Sequence, residues 1–511
     1  MLAQVESATV VGIQSFPVEV EVDVGRGLPS VVVVGLPDAA VKESKDRVKS
    51  AVQNSGFFHP DGRIAINLAP ADVRKEGPLF DLPIALGLMV ATEQATLPKL
   101  HDYVVVGELA LNGKVRRIRG VLPLALGARH RRKKGIIVPL ENAEEAGVVE
   151  GIDVIPVQNL RQAVEFLSGT LEISPFRRPL ESLWVPQTDM QELDFSEVKG
   201  QESVKRALEV AVAGGHNLLM VGPPGSGKSM LAKRLPSIMP DLTLEEALET
   251  TKIHSVVGLL PAGQALLRTR PFRSPHHTIS DIGLIGGSAH PSPGEVSLAH
   301  HGVLFLDELP EFKRSVLEVM RQPLEDGSVT ISRAAGTLTF PARFMLVAAM
   351  NPTPTGTKGD AERGRTSDAA VQRYLNKISG PLLDRIDIHL EVSALSHDEL
   401  LQPAPAESSS VIRERVTRAR EIQLKRFKTK KRIWCNAQMG SKEIKAFASI
   451  DDSCQAMLRH AMEDLNLSAR AYDRILKVAR TVADMATSES ITTDHLGEAI
   501  SYRTLDRQLW C

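Results

Sequence analysis

Asn217-Leu218-Leu219-Met220-Val221-Gly222-Pro223-Pro224-Gly225-Ser226-Gly227-Lys228-Ser229 is the stretch on which the reading of this chain turns. Its first residues read as a buried strand, a glycine-rich loop follows, and an amphipathic helix is predicted from Met230. In that order they form a phosphate cradle. Glycines let backbone amides fold round an anion with no Cβ in the way, and the helix N-terminus adds its positive end. Lys228 is expected to reach the β- and γ-phosphates of a nucleoside triphosphate, and the Ser229 hydroxyl to ligate Mg²⁺. Gly222, Pro223, Pro224, Gly225, Ser226 and Gly227 complete the binding loop. A chance glycine-rich turn is the plainer account, and the strand-loop-helix context weighs against it.

Two more apolar runs carry matching chemistry. Gly302-Val303-Leu304-Phe305-Leu306 ends in Asp307-Glu308, where Asp307 would hold Mg²⁺ through water and Glu308 would polarise the attacking water. A strand running into a helix N-cap is the bland alternative. Phe344 to Met350 ends at Asn351, whose amide is placed to sense or position the lytic water; a turn asparagine before Pro352 is the rival reading. ATP and Mg²⁺ are therefore the expected cofactors.

The 511 residues exceed what one hydrophobic core serves, so two or three domains are expected. Lys and Arg number 61 against 62 Asp and Glu, so a nucleic-acid role has to come from local patches. No stretch approaches the ~18 consecutive apolar residues of a spanning helix, and Val31 to Val34 reads as a short buried strand. Met1 to Glu6 lacks a basic segment and an apolar segment, so a cytoplasmic location is expected. Cys435, Cys454 and Cys511 are too few and scattered for a disulfide framework or a four-ligand metal site, and read as reduced thiols.

Residues 1–168 alternate β-rich runs (Val18 to Val24, Ile64 to Leu68, Val104 to Val106, Ile136 to Val138) with helical patterns, as one α/β domain. A linker marked by Pro175, Pro179 and Pro186 spans 169–193, an α/β nucleotide-binding core 194–394, and a second linker 395–410. Residues 411–511 place Leu458, Met462 and Leu465, then Tyr472, Ile475, Leu476 and Ala479, at helical spacing, which predicts an all-helical domain.

The three strands, with Leu382-Leu383-Asp384-Arg385-Ile386-Asp387 after them, resemble the AAA+ superfamily and its magnesium-chelatase-like branch. The runs Pro271 to Thr278, Pro293 to His300 and Leu306 to Phe312 narrow this to the bacterial YifB/ComM-type ATPases, over essentially the whole chain. The resemblance implies an α/β fold: an AAA+ P-loop core, an N-terminal Lon-protease-like α/β domain and a C-terminal helical lid. It implies a homo-oligomeric ring, a hexamer, acting as a DNA helicase or translocase in branch migration during natural transformation or recombination. In that family Arg385 matches the arginine finger that completes a neighbour's site. A local salt bridge with Asp384 or Asp387 is its plainer reading. Arg470, in Leu467-Ser468-Ala469-Arg470-Ala471-Tyr472, matches the second sensor reaching the γ-phosphate from the lid, with Arg474 as rival. Phe195 to Gln201 resembles the segment that packs against adenine.

Lys228 and Asp307 lie 79 positions apart (307 minus 228), leaving room for an insert that holds His276 and His277. Adjacent histidines share no helix or strand face and no ligand cluster accompanies them, so a structural or pore role is favoured over metal. A second insert, Glu325 to Phe340, reads as a hairpin with its tip at Arg333 to Gly336, able to grip a phosphate backbone without reading sequence. The family's cysteine-rich loop after the first sensor is replaced by one bearing Thr353, Thr355 and Thr357 and no cysteine, which argues against a metal there. In the Lon-like domain, Leu79 and Leu122 stand where the protease has its serine and lysine, so that domain is expected to be a dead scaffold. Val411 to Trp434 carries ten Lys/Arg against two Glu, suited to phosphate binding or to a solvated helix face. The rivals are a chelatase-like motor that remodels a protein, an ATP-dependent protease, and a ring using nucleotide only as an assembly switch.

Overall fold

Period-two alternation along Leu2–Val11 (β1) and Gln14–Gly25 (β2) buries Ala3, Val5, Val18, Val20 and Val22 on one face, and the two strands pair antiparallel from Leu2↔Asp23 to Val11↔Gln14. With Ser30–Val34 (β3) and Arg63–Ala69 (β4) they form a four-stranded sheet in the order β1-β2-β4-β3. β3 does not fit the buried strand expected of Val31 to Val34. It pairs only with β4, at the sheet edge, and leaves Val32 and Val34 nearly half exposed. A three-stranded parallel sheet, Tyr103–Val105 (β5), Gly135–Pro139 (β8) and Asp153–Val157 (β9), and the hairpin of Glu108–Leu109 (β6) with Val115–Arg116 (β7), complete the strands of this part. The helix Ala39–Asn54 starts where the Asp38 carboxylate accepts from the Val41 amide at 2.7 Å, and buries Val41, Val48, Ala51 and Val52 at three- and four-residue spacing.

The computed structural model describes residues 2–179, 193–261, 263–287, 291–333, 336–354, 356, 367–394, 406–430, 433–465 and 467–505. Two units emerge, Met1–Pro186 with Leu244–Arg268, and Gln187–Thr243 with Thr269–Cys511. Here the structure departs from the boundaries expected above. Leu244–Arg268, counted within the 194–394 core by sequence, belongs with the N-terminal unit. The Ser255 carbonyl accepts from Gly120 N at 3.1 Å, the Leu260 carbonyl accepts from Arg117 at 2.6 Å, and Ala247, Ile253, Leu260 and Leu266 are buried. Apolar periodicity marks Leu244–Val257 as a helix but does not say against what it packs.

The second unit is built on a five-stranded parallel sheet of Leu218–Val221 (β10), Phe272–Arg273 (β11), Val303–Leu306 (β12), Met345–Met350 (β15) and Ile388–Glu391 (β16), in the order β11-β12-β15-β10-β16. Between them Ser328–Arg333 (β13) and Gly336–Pro341 (β14) pair as the expected antiparallel hairpin, whose Ala334 and Ala335 lie outside the described residues. The central strands are buried along their whole length, as parallel strands covered on both faces are. Helices Asp452–Asp464, Ala469–Met485 and Thr493–Ser501 follow, with Leu458, Ile475, Leu476 and Ala479 buried; each large aliphatic contributes about 1.5–3 kcal/mol.

These helices dock at the amino-terminal end of the sheet. Asp387, just before β16, accepts from the Asn217 amide at 2.9 Å and pairs with Arg474; Arg503 donates to the Ile386 carbonyl at 2.6 Å. Among the described residues no helix is long and apolar enough to cross a membrane.

Candidate nucleotide site

Parallel strands deliver their loops to one edge, and the expected group assembles at the carboxyl ends of β10, β12 and β15. The loop leaves β10 with Gly222 N donating to the Met350 carbonyl at 3.2 Å. A Cβ at Gly222 would lie 2.1 Å from the Val392 carbonyl, so only glycine lets the segment after β16 pass. Gly225 and Gly227 take φ of +78° and +89°, turning the loop into the helix Lys228–Ile238.

The Lys228 ammonium donates to the Gly222 and Pro223 carbonyls at 2.7 and 2.8 Å and to the Asn351 side-chain oxygen at 3.3 Å. Burial pushes its pKa down, against the pull of Asp307. The Ser229 hydroxyl donates to Asp307 at 2.5 Å. One cation, one hydroxyl, one carboxylate and one amide, on three strand ends, thus meet beside open loop glycines. That donor set fits a Mg²⁺-bound polyphosphate: the cradle has room, and hard oxygen ligands suit Mg²⁺.

Glu308 follows with φ +53°, a left-handed conformation rare for a side-chain-bearing residue, its amide donating to Asp307 at 3.0 Å. Its carboxylate is exposed and lies 3.4 Å from Nδ1 of His277. Nothing in the sequence tied that histidine to the site, although it follows β11, the neighbour of β12, by only four residues. Tyr374 was missed too. Burial, reinforced by Glu311, pushes its phenol up to about 12, and it also feels Glu308 and the Asn351 backbone.

Gln201, at the end of the run Phe195 to Gln201, donates its side-chain amide to the Ser226 and Ser393 carbonyls at 2.9 and 3.1 Å. A cavity of about 260 Å³ opens beside it, lined by Val221, Gly222, Pro223, Pro352 and Val392.

The two expected arginines lie elsewhere. Arg385 is 8% exposed, ion-paired with Glu325 of the same chain and donating to the Pro381 carbonyl. Its backbone carbonyl accepts from Asn217, at the amino end of β10. Arg470 is exposed and sits 3.6 Å from Asp384, beside Arg385. The span from Asn217 to Gly222 is about 16 Å of strand, so the expected reach of Arg470 to the γ-phosphate is corrected for the site of its own subunit: the helix carrying it docks at the wrong end of the sheet. Arg474, the rival, is consumed by the buried Asp387.

The basic segment is also mostly spoken for. In the helix Ser409–Arg426, Arg413 pairs with Asp241, Arg415 with Glu209 and Glu407, Arg418 with Glu414 and Arg426 with Asp484, while Arg420 donates to the Val212 and Ala213 carbonyls. Lys425 and Lys428 are exposed; Lys431 and Arg432, like Thr355, Thr357 and Cys511, lie outside the described residues. In the N-terminal unit Leu79 and Leu122 are both buried, and the Leu122 amide donates to Glu145.

Comparison with known proteins shows the family of the whole chain. The family model described as magnesium chelatase, subunit ChlI, matches residues 194–400, a second ChlI model matches 20–142, and a ChlI C-terminal model matches 406–503. The uncharacterized protein YifB of Escherichia coli K12 is 45% identical over 509 residues, 99% of this chain and 98% of that protein. Competence protein ComM of Haemophilus influenzae is 44% identical over the same shares. Lon protease 2 of Bacillus subtilis is 28% identical over 138 residues, 26% of this chain and 24% of that one. With a phosphate loop, an acidic strand end and an asparagine meeting at one sheet edge, and relatives matching from end to end, the chain belongs to the YifB/ComM-type family of magnesium-chelatase-like AAA+ ATPases.

Proposed function

We propose that the chain is one subunit of a homo-oligomeric cytoplasmic ring, a hexamer, that hydrolyses ATP to move along DNA without regard to sequence, driving branch migration in natural transformation or recombination. The observation that carries the ATPase core of this reading is the meeting of Lys228, Ser229, Asp307 and Asn351. Lys228 leaves the loop carbonyls to neutralise the β- and γ-phosphates, and Asn351, already in contact with it, orients the water that Glu308 deprotonates. Ser229 and Asp307 would hold Mg²⁺, which when bound supplies charge neutralisation and alignment of the phosphate chain.

Support for a ring comes from what the chain, among the described residues, does not bring to its own site. Arg385 and Arg470 share the opposite end of the sheet, so the cation that stabilises the transition state would be lent by a neighbour. DNA as the track is supported by the relationship to competence protein ComM and by Arg333, exposed near the hairpin tip. Comparing wild type with Glu308→Gln for strand displacement on a four-way junction tests the proposal. The variant should bind ATP and displace nothing; equal displacement by both proteins would refute it. The chelatase-like reading, favoured by the ChlI matches, predicts ATP turnover indifferent to branched DNA. A protease reading finds two buried leucines where a serine and a lysine are required.

A further inference from the structure

The hairpin of β13 and β14 and the buried Arg385 meet at a single side chain. Glu325 lies on the helix Arg321–Asp326, three residues before Ser328 opens β13. Gly327 caps that helix at φ +64°, donating to the Pro323 carbonyl at 2.9 Å, and its own carbonyl accepts from Ala342, just after β14, at 2.9 Å. Helix end and both legs of the hairpin thus share one base, closed above by the buried pair Val329 and Phe340. From there the six residues of β13 reach about 20 Å to the exposed Arg333. The Glu325 carboxylate is 61% exposed and forms an ion pair with Arg385. Hydrogen bonding to Arg385, with the charges of Arg470 and Arg321 adding, holds that carboxyl below its usual range. Arg385 is not fully satisfied in return: its buried Nε has no partner among the described residues, so an acceptor richer in charged oxygens can draw the guanidinium away.

We propose that Glu325 is a positioning residue that ties the hairpin to Arg385, so that parking the hairpin and lending the arginine to a neighbour exclude each other. While the pair is intact the base is held. When Arg385 turns to the neighbour's triphosphate, the base is freed and the hairpin shifts to grip a phosphate backbone. Linkage makes the effect reciprocal: a backbone bound at the hairpin releases Arg385 in turn. The inference rests on the reading of Arg385 as a finger within a ring and of the hairpin as the grip on DNA.

Equilibrium binding by the full-length protein tests it, with a four-way DNA junction and the slowly hydrolysed analogue ATPγS each titrated in the absence and presence of the other. In wild type ATPγS should tighten junction binding about fivefold, the worth of one partly exposed ion pair, and the junction should tighten ATPγS binding by the same factor. Glu325→Gln should bind the junction without nucleotide as tightly as nucleotide-loaded wild type, and its coupling factor should fall to about 1. A merely structural defect would weaken junction binding instead. Glu318→Gln, which removes a carboxylate from the preceding helix Arg314–Val319, should keep the wild-type factor, and Arg385→Ala should lose it. Coupling that survives in Glu325→Gln or in Arg385→Ala, or a wild type whose junction affinity ignores ATPγS, would overturn the tie. A wild type that binds no junction at all would instead remove DNA as the track, and this inference with it.

Discussion

Arg385 is buried, paired with Glu325 on one nitrogen, bound to the Pro381 carbonyl through another, and its Nε has no partner among the described residues. A finger must leave such a pocket to reach a neighbouring phosphate. The carboxyl of Glu325, held below its usual range by Arg385 and further by Arg470, is the group that retains it. Arg385→Ala is expected to cut ATP turnover by about 10³-fold or more while leaving nucleotide affinity nearly intact, as measured by fluorescent-nucleotide titration. Turnover unaffected by that change would return Arg385 to the role of a local salt bridge. The phosphate loop, Asp307, Glu308 and Asn351 were legible in the sequence because each is fixed within a few residues of its own strand end. Arg470 and His277 were not. Their roles depend on which end of the sheet a distant helix meets, and on which strand β11 lies beside, and neither is encoded in local spacing.

Elements show the same division. The hairpin of β13 and β14 and the helix Ala469–Met485 follow directly from alternation and three- or four-residue periodicity. The basic helix Ser409–Arg426 did not disclose its use, because beside the local partners Glu407 and Glu414 its arginines are held by groups from segments far away in the chain, Asp241, Glu209 and Val212 among them. Neutralising Arg415 or Arg418 should therefore leave the salt dependence of DNA binding unchanged, whereas Arg333→Ala should lower the slope of log K against log salt by about 1. A steeper loss at the helix than at the hairpin would reverse that assignment. Docking of the C-terminal helices depends on Asp387. Burial alone would raise its carboxyl, but Arg474 against it wins and holds it well below the usual range. A depressed carboxyl stabilises the fold above its unfolded value, about 3.9, and that stability fades as pH falls through the lower folded value. Asp387→Asn should lower the thermal unfolding midpoint at pH 7, by about 3–5 kcal/mol of stability for a broken buried pair, and the gap to wild type should shrink below about pH 4.

For the molecule as a whole, the excursion Leu244–Arg268 is the feature that composition and periodicity could not reveal. Its apolar residues Ala247, Ile253, Leu260 and Leu266 are buried within the N-terminal unit. A fragment of residues 187–511 should consequently self-associate in size-exclusion chromatography, and replacing 244–268 with a short glycine-serine linker should return it toward discrete species. A well-behaved fragment with the excursion intact would contradict this packing. The chain leaves the nucleotide-binding unit after Thr243 and rejoins it at Thr269, so genetic exchange cannot treat the two halves as cassettes. A recombination breakpoint near residue 187 would supply one parent's helix with the other parent's docking face, and the halves are bound to be inherited together or to change in step.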